Sequence, residues 1–447
     1  MRRRGQVTAE GPTPQGGLFR AIRRWDLVAM VVNSVIGAGI FGLPSEVFRR
    51  TGAWSLLAFV VCGIVIALIV VCFAEVSSRF SGTGGPYLYA HEAFGPLAGF
   101  EVGWMLWIAR VTAFAANCNL LVGYMGFFWP AAESAGPRAL LISAVVLSLL
   151  AVNLAGVRQA TVTGNIFTVS KLLPLLLFVG VGLFSLQSAN ISFSVRPPFG
   201  EFSASVLVLI YAFSGFEMAT ISAGESRNPQ ADLPRALLLA MAVVVGLYIL
   251  IQLVAIGTLP GLASSTRPLA DAGGRFLGPL GGAIITAGAV VSILGNLNVI
   301  MMVGSRLPFA MAERGQLPSL LGVTHRRYRT PHVAIVVTAA VMLLATLTGT
   351  FVYAATVSVL ARLLSYAATC AALPALRRKP TAAPALFTAP AGGAISLAAL
   401  ILVGWLLTHS TGRQARDAGI AALVGLAVYF LSRLSRPATK VPASTAS

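Results

Sequence analysis

The chain has 447 residues, 57% of them hydrophobic and 10% charged, with a mean hydropathy of +0.83. Soluble domains carry about 25% charged residues, so this composition excludes an ordinary soluble protein and indicates an integral membrane protein. The net charge of +18 suggests nucleic acid at first sight, but the basic residues are dispersed over short loops and form no single stripe, so no nucleic-acid partner is expected.

Residues 1–24 are basic and rich in Gly and Pro, which predicts a disordered tail ending in the juxtamembrane stretch FRAIRRWD. No small-residue cleavage site follows the first apolar run, so a signal peptide is not expected. Roughly 20 apolar residues cross the hydrocarbon. Twelve such runs occur, at about 26–48, 54–78, 98–128, 138–156, 164–187, 203–224, 233–258, 280–311, 332–349, 352–376, 391–408 and 416–434. They are too long and continuous for barrel strands. An even count puts both termini on one side. The loops of that side hold most of the Lys and Arg, among them Arg158, Arg326, Arg327, Arg329, Arg377, Arg378 and Lys379. The positive-inside rule therefore predicts cytoplasmic N- and C-termini and a multi-pass protein of the plasma or inner membrane.

The first span holds SVIGAGIFGLP, with the pattern G-x-G-x-x-G at Gly37, Gly39 and Gly42. A dinucleotide fingerprint needs a preceding strand, a following helix and an acidic residue about 20 positions on. Here Pro44 follows at once and no carboxylate lies between Val47 and Ala74. Glycine in a helix costs about 1 kcal/mol relative to alanine, so the cluster indicates a helix that unwinds or one that packs closely. The sixth span repeats the feature in YAFSGFE, with Gly215 in the corresponding place. Interrupted segments at matching positions of two halves point to an inverted-repeat transporter. Freed N–H groups at a half-helix N-terminus hold a carboxylate, and freed carbonyls hold an ammonium. Together they suit the two ends of an α-amino acid.

These residues resemble the amino acid, polyamine and organocation (APC) transporters, of the bacterial amino acid permease type. The resemblance rests on NSVIGAGIFGLP, on AEVSSRFSGTGGPYLYAHEAFGPLAGFEVGW, on YAFSGFEMATISAGESRNPQADLPRAL and on RLPFAMAERGQLPSLLGVTHRRYRTPHVAI, in that order. It implies an all-α membrane protein of the LeuT type with twelve transmembrane helices, the first and sixth broken. Residues 25–190 would form the first five-helix repeat, 200–378 the second, 388–435 the last two helices and 436–447 a cytoplasmic tail. It implies a substrate carboxylate against the backbone of Ala38, Gly39 and Ile40. The amine would face Ile36 and the stretch Phe213, Ser214 and Gly215. Tyr211 would close the cavity, Glu217 matches an acidic position of several relatives, and Asn296 and Asn298 are better placed for the site than Ser305 or Arg306. Phe114 and Asn117 would face the side-chain pocket.

An ionisable residue within a span costs at least about 2.5 kcal/mol at the bilayer centre, so each asks for a role or a partner. The resemblance sets Lys171 beside the first helix where sodium-coupled relatives hold their ion. An ammonium there would replace that cation and make transport sodium-independent; a second reading has Lys171 carry a coupling proton, and the bland reading is a snorkelling lysine. Arg110 has three readings: a buried pair with Glu217 or another carboxylate such as Glu46, a contact to an anionic substrate group, or an orientation toward headgroups or water. Glu75 is expected to pair with Arg79 at i+4, and Arg362 has no assigned partner. His91, His325, His332 and His409 lie in loops or at span ends, which argues against a histidine relay. Cys62, Cys72, Cys118 and Cys370 lie within spans and read as packing residues.

The expectation is a secondary transporter or exchanger of amino acids. Exchange, facilitated diffusion and proton coupling all remain open. Small or apolar amino acids are the default substrate, an anionic one follows if Arg110 is unpaired, and a polyamine or other organic cation follows if Glu217 is. A non-transporting amino acid sensor is the alternative of another class. An enzyme is not expected, since no His or Cys cluster and no G-x-S-x-G motif is present; nor is any cofactor or metal. Relatives with a glycoprotein subunit use a cysteine between the third and fourth spans. WPAAESAGPR has none, so no disulfide-linked partner is expected.

Overall fold

The computed structural model describes residues 23–81, 84–155, 160–221, 226–328 and 330–434, without the side chains of 160–170 and 433–434. Nearly all of the tail read over 1–24, the tail over 436–447, Arg158 and Arg329 lie outside the described residues. Among the described residues the secondary structure is helical, with no β-strand. The α-helices are α1 (Arg24–Val35), α2 (Ala38–Thr51), α3 (Ser55–Ser77), α4 (Pro86–Phe94), α5 (Pro96–Met125), α6 (Ala135–Ala155), α7 (Ala160–Gly182), α8 (Phe199–Phe213), α9 (Glu217–Ile221), α10 (Pro229–Thr258), α11 (Pro268–Glu313), α12 (His332–Thr348), α13 (Phe351–Arg378), α14 (Gly392–Thr408) and α15 (Gly412–Leu434).

Prolines open several of these helices. Pro86, Pro96, Pro229 and Pro268 sit in first turns, where the missing N–H has no acceptor to lose. Seven helical stretches are long and apolar enough to cross a membrane, Ala38–Ser77 counted as one, and four shorter apolar helices accompany them. Two segments read as loops are helical. Residues Pro86–Phe94 form α4 between the second and third apolar runs, and α11 begins at Pro268, bending at Gly278 (φ +71°) before its long apolar part. Both are too short or too polar to read as spans. His91 consequently sits in a helix, not in a loop.

The long helix α5 is the centre of the packing: it lies against α13, α11, α12, α4 and α15. Around it, α1 packs on α10, α2 and α3 on α8, and α7 on α11. One buried core runs through most of these helices and takes in Phe41, Phe59, Phe114, Phe213 and Tyr366. The four cysteines are buried and free.

Glu75, at the end of α3, corrects the expectation of a purely local pair. Its fully buried carboxylate takes two hydrogen bonds from Arg377 of α13, at 2.7 and 2.6 Å, and one from the Ala389 N–H at 2.9 Å. Arg79 reaches it only at 3.5 Å and also donates to the Ala383 carbonyl. The Arg377 guanidinium matches both carboxylate oxygens in two parallel bonds, a fit that Arg79 does not make here. Lys379 to Glu92 at 2.7 Å ties α13 to α4 at the same end. Arg377→Ala is therefore expected to lower the unfolding temperature of the detergent-solubilised protein, by a loss of about 1–3 kcal/mol. Arg79→Ala should have a smaller effect.

Candidate functional site

The backbone leaves the helix twice, and the two places lie side by side. The first helix stops at Val35, closed by the Ile36 N–H on the Val32 carbonyl. Ile36 (ψ 96°) and Gly37 (φ −134°, ψ −152°) are extended, and α2 begins at Ala38. Gly37 leaves no room for a Cβ beside Asn296. At the second place α8 stops at Phe213, Ser214 is extended (ψ 159°), and α9 starts at Glu217. Gly215 has φ +118° and packs so tightly on the Ser34 carbonyl that a Cβ would collide with it. Only glycine meets both conditions. Gly39 holds the two segments together, since a Cβ there would fall 2.5 Å from Cα of Ala212.

A narrow cavity of about 20 Å³, room for roughly one water, lies between the breaks. It is lined by Ser34, Val35, Gly37, Ala38 and Gly39 on one side and by Tyr211, Ser214, Gly215 and Met218 on the other. Arg110, Ala113 and Asn117 of α5, Asn296 and Ile300 of α11, and Arg362 of α13 complete it. The first-turn N–H groups of α2 point along its N-terminus with no side-chain cap. Such groups have no intrahelical acceptor and carry the positive end of the helix dipole.

Buried charge surrounds this cavity. Glu217 is fully buried and takes four donors: Arg110 at 3.0 Å and Arg362 at 2.5 Å on Oε1, Tyr366 at 2.8 Å and the Gly215 N–H at 2.9 Å on Oε2. Thus Arg110 pairs with Glu217, and Glu46 is engaged elsewhere, by Arg49 and Arg50. Arg362, left without a partner by the sequence, shares the same carboxylate. It also donates to Ser358, which donates to the Ala109 carbonyl of α5. A polar string crosses the cavity wall from Asn296 through Asn117 to the Tyr211 hydroxyl, at 3.0 and 2.5 Å.

Lys171 is 2% exposed. Its Nζ donates to the carbonyls of Asn33 and Ile36 at 2.7 and 2.9 Å. The side chain points inward to the end of α1 and does not snorkel.

Of the residues singled out from the sequence, Gly37, Ala38, Gly39, Arg110, Asn117, Tyr211, Ser214, Gly215 and Asn296 line the cavity. Ile36, Ile40, Phe114 and Phe213 do not; they are fully buried in the core, with Phe213 against Phe59 and Tyr248. Glu217 lies behind the lining, reached through its arginines. Asn298 faces away and accepts from Asn153. Reasoning from the sequence passed over Ser34, Val35, Ala113, Met218 and Ile300 as lining residues, and Tyr366 as a ligand of Glu217. For Tyr366 a signal existed: it lies four residues after the in-span Arg362, hence on the same helix face.

Removing the shared carboxylate would strand two buried guanidiniums. Glu217→Gln is expected to destabilise the protein by about 3–5 kcal/mol, as for a broken buried pair. Adding Arg362→Gln should recover part of that loss, and thermal unfolding of the single and double variants measures it.

Comparison with known proteins identifies the family. Residues 22–429 match a family model described as amino acid permease. The serine/threonine exchanger SteT of Bacillus subtilis is 26% identical over 433 residues, spanning 94% of this chain and 98% of the relative. The methylthioribose transporter of Bacillus subtilis is 29% identical over 351 residues, 74% of this chain and 75% of the relative. An arginine/agmatine antiporter of Chlamydia abortus is 28% identical over 344 residues, 72% and 70% of the two chains.

Proposed function

Because this chain belongs to the amino acid permease family, we propose that it is a sodium-independent exchanger of amino acids, working by alternating access around two broken transmembrane helices. Family and relatives are transporters, not enzymes, and the chain is a multi-pass membrane protein. On this reading α1–α2 and α8–α9 are the first and sixth of twelve spans in a plasma or inner membrane, related by an inverted repeat, with both termini cytoplasmic. Exchange as the mode is supported by the relatives named exchangers and antiporters.

The observation that carries the proposal is the meeting of both backbone interruptions in one cavity. The N–H groups of Ala38, Gly39 and Ile40 receive the substrate α-carboxylate. The carbonyls at the end of α8, by Phe213 and Ser214, receive the ammonium. The Ile36 carbonyl has a smaller part, since it already accepts from Lys171. That same bond supports sodium independence: the ammonium of Lys171 occupies the carbonyls that a metal cation would otherwise gather.

Purified protein in liposomes preloaded with unlabelled amino acid is expected to take up labelled amino acid, and uptake should be unchanged when external sodium is replaced by potassium. Efflux of preloaded label should accelerate when amino acid is added outside. Binding without flux would indicate a sensor and sink the transport reading. Lys171→Gln should abolish most of the flux while the protein still inserts, because the Asn33 and Ile36 carbonyls lose their donor; a sodium-dependent rescue would mark the site as cation-binding.

A further inference from the structure

The charges around the cavity do not balance, and the excess has a direction. Arg110 and Arg362 are the charged residues among its described lining, and they are 0% and 3% exposed. They share one carboxylate. A carboxylate offers about four lone-pair sites, and Glu217 has four donors on it, so it has none to spare. Arg110 uses only Nη2 on that carboxylate; its Nε and Nη1 are buried with no hydrogen-bond partner. Buried guanidinium donors without an acceptor are costly, and these belong to a side chain lining the same cavity as the α2 N-terminus.

An amino acid whose side chain is neutral leaves this excess in place, and one whose side chain is a cation adds to it. A side chain ending in a carboxylate removes it. Building on the exchanger reading above, we propose that the preferred substrates are amino acids with an anionic side chain, whose second carboxylate accepts from the free donors of Arg110. The head of the substrate occupies the two backbone breaks. Its acidic side chain extends toward α5 and α13, where Arg362 adds attraction and Glu217 keeps both guanidiniums oriented. Charge complementarity, more than shape, then separates substrates of similar size, such as glutamate and glutamine.

The test is competition by unlabelled compounds against labelled amino acid exchange in proteoliposomes of the full chain. L-Glutamate or L-aspartate is expected to compete at least about tenfold more tightly than L-glutamine or L-serine, the loss that one charge-assisted hydrogen bond represents. L-Arginine is expected not to compete. Arg110→Gln should bring the glutamate-to-glutamine competition ratio near one, at whatever overall rate of exchange the variant retains. If that variant fails to fold, the ranking measured on the unaltered protein decides alone. Equal or better competition by glutamine, serine or arginine overturns the anionic-substrate proposal and leaves amino acid exchange standing. Chloride protecting against thermal unfolding as well as glutamate does would also overturn it, because a simple anion would then satisfy Arg110. Failure of every amino acid to exchange would bring down the underlying reading as well.

Discussion

A peptide group released from a helix inside an apolar surrounding must find another partner, and the centre of this protein is organised by that requirement. Two neighbouring segments, Ile36–Gly37 and Ser214–Phe216, give up helical geometry. At Asn33, Ile36 and Gly215 three side-chain hydrogen bonds supply the missing partners. Lys171 covers the carbonyls of Asn33 and Ile36, and Glu217 covers the Gly215 amide. Each of these charged groups would be expensive alone at this depth. Each is held because the backbone beside it is of the complementary sign.

Glu217 links this local repair to the whole architecture. Its carboxylate sits at the start of α9, two residues past Gly215, and its partners come from α5 and α13. The broken segment is thus fastened to the helix on which most of the others pack. Separation of α9 from α5 and α13 together would leave three charges without counterparts, so the arrangement favours a pivot at this point over a latch that opens. Ser358, which joins Arg362 to the Ala109 carbonyl, makes α5 and α13 one unit on the far side of that pivot.

Most of the helices were legible because apolar runs of span length leave few alternatives, and their order follows from the chain. The glycine clusters were legible for a different reason: glycine at Gly37, Gly39 and Gly215 is costly in a helix, so its repetition at matching places demanded an account. Short polar helices were not legible. Pro86–Phe94 and the part of α11 before Gly278 lack a periodic apolar stripe long enough to distinguish them from loops. Partners across the fold were only half legible. That Arg110 and Glu217 needed partners was evident from burial cost, but the sharing of one carboxylate by Arg110, Arg362 and Tyr366 depends on three helices meeting, 107, 145 and 149 residues apart in the chain. Glu75 shows the same limit. Its neighbour Arg79 offered a local pair, and the better geometry came from Arg377, 302 residues on.

The two interruptions are repaired by opposite chemistry, and that asymmetry decides what the cavity presents. Every break frees acceptors on one side and donors on the other. At α1 the freed carbonyls are taken by an ammonium, which leaves the N-terminal amides of α2 as the free partners. At α9 the freed Gly215 amide is taken by a carboxylate, which leaves the last carbonyls of α8. The cavity therefore faces its contents with donors from one helix and acceptors from the other, a match for a zwitterion that neither break would provide alone. Because Lys171 and Glu217 together cancel in charge, the two guanidiniums of Arg110 and Arg362 set the sign of everything else that the cavity prefers to hold.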